Sequence, residues 1–563
     1  MKRVQKQELE TFVFESVNKI YQKDFQENWD RNSLTNYGGE ALKYSDIATQ
    51  IEKLHIIYRQ CGIQKGDRIA LCSPNQANWV VAFLSAMTYG AVVVPLLHEF
   101  KPVNIHHLVN HSESKILFVD QSIWQGLDMK EMPKVQAVAK LEDWSLLYAA
   151  EDGIKAIHDN IENIFAEKHP DGFKPGDLDY YEDSSEELAI INYTSGTSGF
   201  SKGVMIPYRA VVSNILFARK AVPCIDNTST VVSMLPCAHM YGMMFEVLYE
   251  FSVGAHIIFL TKAPTPTVLL QVMKEMRPNL IVAVPLVFEK VYKSKVKPIL
   301  EKKGIRVLYK IPLLNRIIYR AVRKELYESF GGNFYEVILG GAAFNRDVEE
   351  FMHKAKFPFT VGYGMTECAP ILAYENWDTA RLYSCGRPAR YLQIRIDSAD
   401  PLHTPGEIQV KGPNVFLGYY QNEEATAAAF TEDGWMKTGD MGVLDEDNFL
   451  YIKGRCKCMI LGPSGQNIYP EEIEDGINAL PYVSDCLVID ENSKLVALVY
   501  PDRAKATRKG LNEEALKAAI EASIKEFNKD QPSYQKISRV DLMENDFERT
   551  PKKSIKRYLY QKN

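Results

Sequence analysis

Residues 191–205 read INYTSGTSGFSKGVM. An apolar strand beginning near Leu188 runs into Thr194, Ser195, Gly196, Thr197, Ser198 and Gly199, followed by Lys202 and Gly203. Glycine accepts positive φ and small side chains leave the backbone uncovered, so such a loop can turn successive N–H groups inward as an anion nest. The hydroxyls add donors, and Lys202 supplies a compact positive charge suited to a multiply charged phosphate. Lys202 lies three residues beyond Gly199 and precedes Gly203, a spacing that argues against a G-x-x-x-x-G-K-[ST] loop. A lone Ser/Gly/Thr cluster is ordinarily a flexible turn. Its surroundings decide between the two readings.

Working outward, strand-length apolar runs at Arg68 to Cys72, Ala91 to Val94, Ile116 to Val119 and Leu188 to Asn192 alternate with amphipathic helical stretches such as Tyr44 to Cys61. A second series follows Ala210, with strands expected at Val231 to Leu235, Gly254 to Leu260, Leu280 to Val284 and Glu336 to Leu339. This βα alternation predicts helix-covered, largely parallel sheets in two related α/β units. From Tyr391 to Tyr420 the pattern changes to short strands and turns, which suggests a small antiparallel barrel or sheet. A boundary is expected near Gly454 to Lys457, followed by about a hundred residues, enough for a separate domain. The fold class is therefore α/β. A large N-terminal region, residues 1–455, holds two α/β subdomains and a small β subdomain, and a mobile α+β domain, 456–563, is hinged to it. The basic tail from Lys552 to Arg557 reads as solvated.

The stretch from Trp79 to Leu97 is apolar enough to resemble a membrane span. Gly90 divides it, and the β-branched run at Val92 to Val94 ends at Pro95, so a buried helix feeding a buried strand is the better reading. The N-terminal ten residues are charged and lack a signal-peptide core, which predicts a cytoplasmic protein. The 563-residue chain has a formal net charge of -6, and no local basic patch stands out to bind nucleic acid. No distinct amphipathic anchor is evident, although transient membrane contact stays open. Nine scattered cysteines read as reduced and buried, and Cys456 and Cys458 lack the partners of a zinc site.

The loop does not stand alone. In order along the chain come LPCAHMYG (Leu235 to Gly242), LGGAAF (Leu339 to Phe344), GYGMTECAP (Gly362 to Pro370), TGD (Thr438 to Asp440) and GRCKCMILGPSGQNIYPEEIE (Gly454 to Glu474). With YTSGTSGFSKGVM, these segments resemble the adenylate-forming superfamily, in particular bacterial long-chain fatty-acid–CoA ligases, over nearly the whole chain.

That resemblance implies an acyl-CoA synthetase that uses ATP, Mg²⁺ and coenzyme A. It would join a carboxylic acid, first choice a medium- or long-chain fatty acid, to AMP and then transfer the acyl group to the thiol. Two anions must meet in the first step, so charge neutralisation is the central problem. By resemblance the loop from Thr194 to Gly199 and Lys202 hold phosphate, Glu367 holds the metal and Thr366 contacts the α-phosphate. Gly341, Ala342, Ala343, Gly362, Tyr363 and Gly364 form the adenine pocket. Asp440, assisted by Arg455, accepts the ribose hydroxyls, and His239 lies between the acyl carboxylate and its pocket. Lys457 occupies the hinge, and the loop carrying Gly465 faces the adenylate in the second half-reaction.

One position departs from the pattern. In RTPKKSIKRYLY, Ser554 falls where the family carries its adenylating lysine, so the role passes to Lys552, Lys553 or Lys556, Lys553 being nearest in sequence. Two other readings remain: transfer to an acyl-carrier protein or use of an aryl or branched acid, and a nucleotide-binding regulatory protein that has lost turnover.

Overall fold

The apolar runs are strands in the computed structural model, which describes residues 11–194, 202–261, 265–300, 302, 311, 314–461, 467–491, 494–549 and 555–560. Leu188–Thr194, Val92–Leu96, Arg68–Cys72, Ser114–Val119 and Ala137–Lys140 lie side by side in parallel. Antiparallel Lys202–Pro207 and Gly418–Tyr419 extend one edge, and Leu146–Ala149 the other, making eight strands. Ala77–Tyr89, Pro102–His111 and Tyr208–Ala221 pack on this sheet. Ile69 to Cys72 and Val92 to Val94 are buried on both sides, which is why they read as unbroken apolar runs.

Ala77–Tyr89 is buried almost throughout and ends at Gly90, whose φ is 84°. A Cβ there would also stand 2.9 Å from the Tyr181 ring, so conformation and space both require glycine. Among the described residues no helix is long and apolar enough to cross a membrane.

The second series forms two sets of strands. Thr230–Ser233 and His256–Phe259 belong to one, and Ile281–Ala283, Val337–Leu339 and Phe359–Val361 to the other, with a parallel bridge from Val231 to Leu280 between them. Asn32–Asn36, which the sequence pattern does not mark as a strand, enters beside His256–Phe259. Its residues NSLTN carry little apolar signal and only Ser33 and Leu34 are buried, so pairing rather than periodicity makes it a strand.

Gln393–Asp397, Gly406–Lys411, Met436–Leu444 and Leu450–Arg455 form the small antiparallel sheet. The end of the stretch expected there departs from it: Gly418 and Tyr419 instead pair with Met205 and Val204 on the large sheet. Beyond Arg455, Val483–Glu491, Lys494–Pro501 and Ile537–Leu542 make a third layer, packed against Pro470–Asn478 and Glu513–Phe527 around Ile473, Ile477, Val488, Leu516 and Ile520. Arg557 of the basic tail is not simply solvated. Its guanidinium pairs with buried Glu474 and donates to the Val488 carbonyl at 3.3 Å.

The segment entering Leu188–Thr194 is anchored by buried Asp183, whose carboxylate accepts from Ser16 Oγ at 2.6 Å, Val17 N at 3.0 Å and Asn18 N at 2.9 Å. Asp183→Ala strands two buried amides at the start of helix Val17–Glu27. It is expected to cost roughly 2–4 kcal/mol, read as a lowered urea midpoint.

Candidate active site

The hairpin of Leu188–Thr194 with Lys202–Pro207 sets Thr194 directly opposite Lys202. Ser195, Gly196, Thr197, Ser198 and Gly199 lie outside the described residues. The Lys202 ammonium stands 4.6 Å from the centroid of the Tyr419 ring, a cation–π distance. Tyr419 Oη in turn donates to Glu367 Oε1 at 2.9 Å. The strand Gly418–Tyr419 thus places one aromatic side chain between Lys202 and Glu367, the residues expected to hold phosphate and metal. Sequence reasoning missed Tyr419 because its role comes from a pairing made across more than two hundred residues.

Glu367 is held by its backbone. Thr366–Cys368 is a 3₁₀ turn, Met365 N donates to the Pro370 carbonyl at 2.8 Å and Phe416 N to the Glu367 carbonyl at 2.9 Å. Asn214, fully buried on Tyr208–Ala221, donates to the Cys368 carbonyl at 3.2 Å and accepts from Ile371 N at 3.1 Å. It is a second residue that the motifs did not reveal. An Asn in a helix interior is a poor helix former, and that mismatch is the signal that could have found it.

Tyr363 Oη donates to Asp440 Oδ2 at 2.6 Å, and Arg455 Nε stands 3.1 Å from Asp440 Oδ1. Asp440 and Arg455 are cross-strand partners, so the sheet itself sets this pair. Burial raises the Asp440 pKa above its ordinary value, while Arg455 and the Tyr363 hydroxyl pull it down. Gly341, with φ 82°, and Ala342 and Ala343 are exposed beside this group.

His239 caps the turn Met240–Met243, its Nδ1 accepting from Tyr241 N at 3.3 Å. Asn192 at the end of the phosphate-loop strand donates to the Ala238 carbonyl at 2.9 Å, which ties the His239 loop to the hairpin. One apolar pocket is lined by His239, Gly341, Gly362, Tyr363, Gly364 and Thr366, together with Phe217 on Tyr208–Ala221, Val222 just beyond that helix and Tyr249 on the helical segment after His239. That segment contains a π-helical turn, Met244–Leu248, a form frequent at functional sites. Residues from three separate motifs therefore share one wall.

The remaining candidates fall apart from this group or beyond it. Lys457 sits in the turn Cys456–Cys458 that follows Leu450–Arg455. Gly465, Lys552, Lys553 and Ser554 lie outside the described residues, and Lys556 donates to Glu548 at 3.3 Å.

The AMP-binding enzyme family matches residues 21–420, and the AMP-binding enzyme C-terminal domain matches 459–563. The long-chain-fatty-acid–CoA ligase FadD15 of Mycobacterium bovis is 27% identical over 560 residues, covering 91% of this chain and 89% of its own. Long-chain-fatty-acid–CoA ligase 1 of Saccharomyces cerevisiae is 27% identical over 78% of this chain and 69% of its own. Among solved structures, ATP-bound MatB from Rhodopseudomonas palustris superposes with a TM-score of 0.75 at 21% identity, covering 97% and 98% of the two chains. O-succinylbenzoate coenzyme A synthetase from Bacillus subtilis, in complex with ATP and magnesium ion, gives 0.73 at 21% identity over 96% and 98%.

The loop before His239 is held from beneath by Glu246, fully buried, which accepts from Met234 N at 3.0 Å, Leu235 N at 2.8 Å and Ser233 Oγ at 3.0 Å. Desolvation pushes its pKa up to about 8, against the pull of those donors. The folded protein therefore binds this proton more tightly than the unfolded chain, whose glutamates titrate near ~4.3. Its contribution is complete below that value and is lost as pH rises toward 8. Between pH 5 and 8 the slope from this group approaches ~1.4 kcal/mol per pH unit. Urea unfolding at a series of pH values is expected to show wild-type stability falling over this range and Glu246→Gln falling less steeply.

Proposed function

We propose, from the premise that this chain belongs to the AMP-binding enzyme family, that it activates a medium- or long-chain fatty acid as acyl-AMP, with release of pyrophosphate, and transfers the acyl group to coenzyme A. The observation that carries this reading is the apolar pocket that opens between His239, Gly341 and the 362–366 segment, beside Tyr363, Asp440 and Glu367. Its walls are apolar, as an acyl chain requires, and a carboxylate at its mouth would lie where the nucleotide-binding motifs meet.

The residues suit their assigned work. Asp440, oriented by Tyr363 and Arg455, accepts hydrogen bonds from ribose hydroxyls. Lys202 neutralises phosphate charge, and the exposed backbone at Gly341, Ala342 and Ala343 lets a base lie close. Glu367 fits Mg²⁺: its Oε1 is engaged by Tyr419, its Oε2 has no partner among the described residues, and they hold no cluster of three or more ligating side chains. A single carboxylate that shares the ion with substrate phosphates is the usual arrangement for magnesium. Bound there, Mg²⁺ would neutralise charge on the phosphates as carboxylate and nucleotide approach. Tyr419 keeps Glu367 oriented and holds Lys202 close until phosphate takes its place. His239, fixed by its helix cap, orients the acyl carboxylate. Residues 1–455 and 456–563 act as two bodies hinged at Lys457, so one site serves both half-reactions.

Names of relatives support the fatty-acid choice: proteins similar to this chain over most of its length are long-chain-fatty-acid–CoA ligases. Pyrophosphate release from purified protein with ATP and Mg²⁺, across acids of graded chain length, is expected to depend on the acid, with acyl-CoA formed when CoA is added. No release with any acid, despite ATP binding, would sink the reading. Tyr419→Phe keeps the ring beside Lys202 and removes the bond to Glu367. It is expected to lower kcat about tenfold and raise the Mg²⁺ requirement, whereas Tyr419→Leu falls further.

A further inference from the structure

Residues 285–330 carry 12 Lys and Arg against 4 Glu, in a chain whose other 54 basic residues are outnumbered by 68 acidic ones. No long block of cations marks this in the sequence, because the charges are interspersed among apolar residues. Folding gathers seven of them that lie among the described residues. On helix Leu314–Ser329, Val322 and Leu326 are buried, whereas Arg316, Arg320, Arg323 and Lys324 are exposed on the opposite face. Ile317, 64% exposed, stands among them.

A second segment joins this face. Pro285–Val291 and the π-helical turn Tyr292–Val296 expose Leu286, Lys290, Lys293 and Lys295. The two segments are fastened to one aromatic cluster: Phe288 stacks on Phe330 at 4.7 Å, and Tyr292 and Tyr319 pack against Phe351 at 5.1 and 5.3 Å. Among the described residues, no carboxylate lies within 4.0 Å of Lys290, Lys293, Lys295, Arg316, Arg320 or Arg323, and Lys324 pairs with Glu328 at 3.8 Å.

We propose that this face docks the protein on an anionic phospholipid bilayer. Cations near such a surface are drawn to it over a Debye length, and exposed aliphatic side chains between them gain by entering the headgroup layer. Ile317, Leu286 at 46% exposure and Ile311 at 44% supply the apolar part. A nucleic acid would reward the cations but not these aliphatics, and the rest of the surface, acidic on balance, would be repelled by the same bilayer, which fixes one orientation. The segment follows directly on Ile281–Ala283, next to pocket-lining Leu280, so the docked face lies close in the chain to the acyl pocket.

The test uses the full chain without ATP or acid, so its outcome is independent of the ligase reading. Flotation with phosphatidylcholine vesicles containing about a quarter phosphatidylglycerol should carry the protein upward at about 50 mM salt, with release at about 500 mM and little binding to phosphatidylcholine alone. The triple variant Arg316→Glu, Arg320→Glu, Arg323→Glu should bind at least about tenfold more weakly, while its urea-unfolding midpoint stays close to that of the wild type. Ile317→Ser should weaken binding and leave its salt dependence in place. Equal binding to neutral vesicles, or undiminished binding by the triple variant, overturns the proposal. So does no vesicle binding combined with charge-dependent capture of an acidic carrier protein by this face. Should the triple variant fail to fold, the lipid-charge and salt dependence of the wild type decides the matter.

Discussion

The antiparallel pairing of Leu188–Thr194 with Lys202–Pro207 is the constraint on which the rest of the site depends. It sets Thr194 against Lys202 across one strand spacing. Neighbouring segments are then fastened to this hairpin by backbone and side-chain bonds. Tyr420 N donates to the Gly203 carbonyl at 2.7 Å and Leu417 N to the Met205 carbonyl at 2.9 Å, while Asn192 grips the loop that ends at His239. Glu367 follows at one remove, because Phe416 holds its carbonyl and Tyr419 its carboxylate. Shifting this pairing by one residue would turn Tyr419 to the other face of the sheet.

Around this frame the interior carries an unusual load of acid. Glu246, Glu250 and Glu336 are fully buried, and desolvation raises the pKa of each. Glu246 and Glu336 have donors: Glu246 holds the strand end before His239, and Glu336 takes the Tyr374 hydroxyl and Trp377 N. Both oxygens of Glu250 lack a hydrogen-bond partner among the described residues, so a retained proton is the state that avoids a bare buried charge.

Charge is segregated on a larger scale as well. The excess of acid over the whole chain hides a basic face built from two helical segments, and the average over 563 residues cancels what the fold separates. The exposed cations of Leu314–Ser329 recur every three or four residues, a spacing that also suits any solvated helix. Their meaning depends on which second segment lies beside them, and that is decided by Phe288, Phe330, Tyr319 and Phe351 packing together.

Much was legible in the sequence where function demands backbone exposure or a specific charge. The small residues around 194–199, the 362–370 segment and Asp440 each have an ordinary structural reading alone and point to a nucleotide site only through the resemblance they share in order along the chain, whereas buried parallel strands announce themselves as unbroken apolar runs. Tyr419, Asn214 and the strand Asn32–Asn36 were not legible, since each acquires its role from a partner distant in sequence: Glu367 and Lys202 for Tyr419, the 368–371 turn for Asn214, His256–Phe259 for the strand. The sequence by itself determined the fold class and the chemistry of the motifs, because local periodicity and side-chain type carry that information. Tertiary structure alone decided which motifs share a wall and which charges share a face, because long-range strand register and aromatic packing set those distances and no local pattern encodes them.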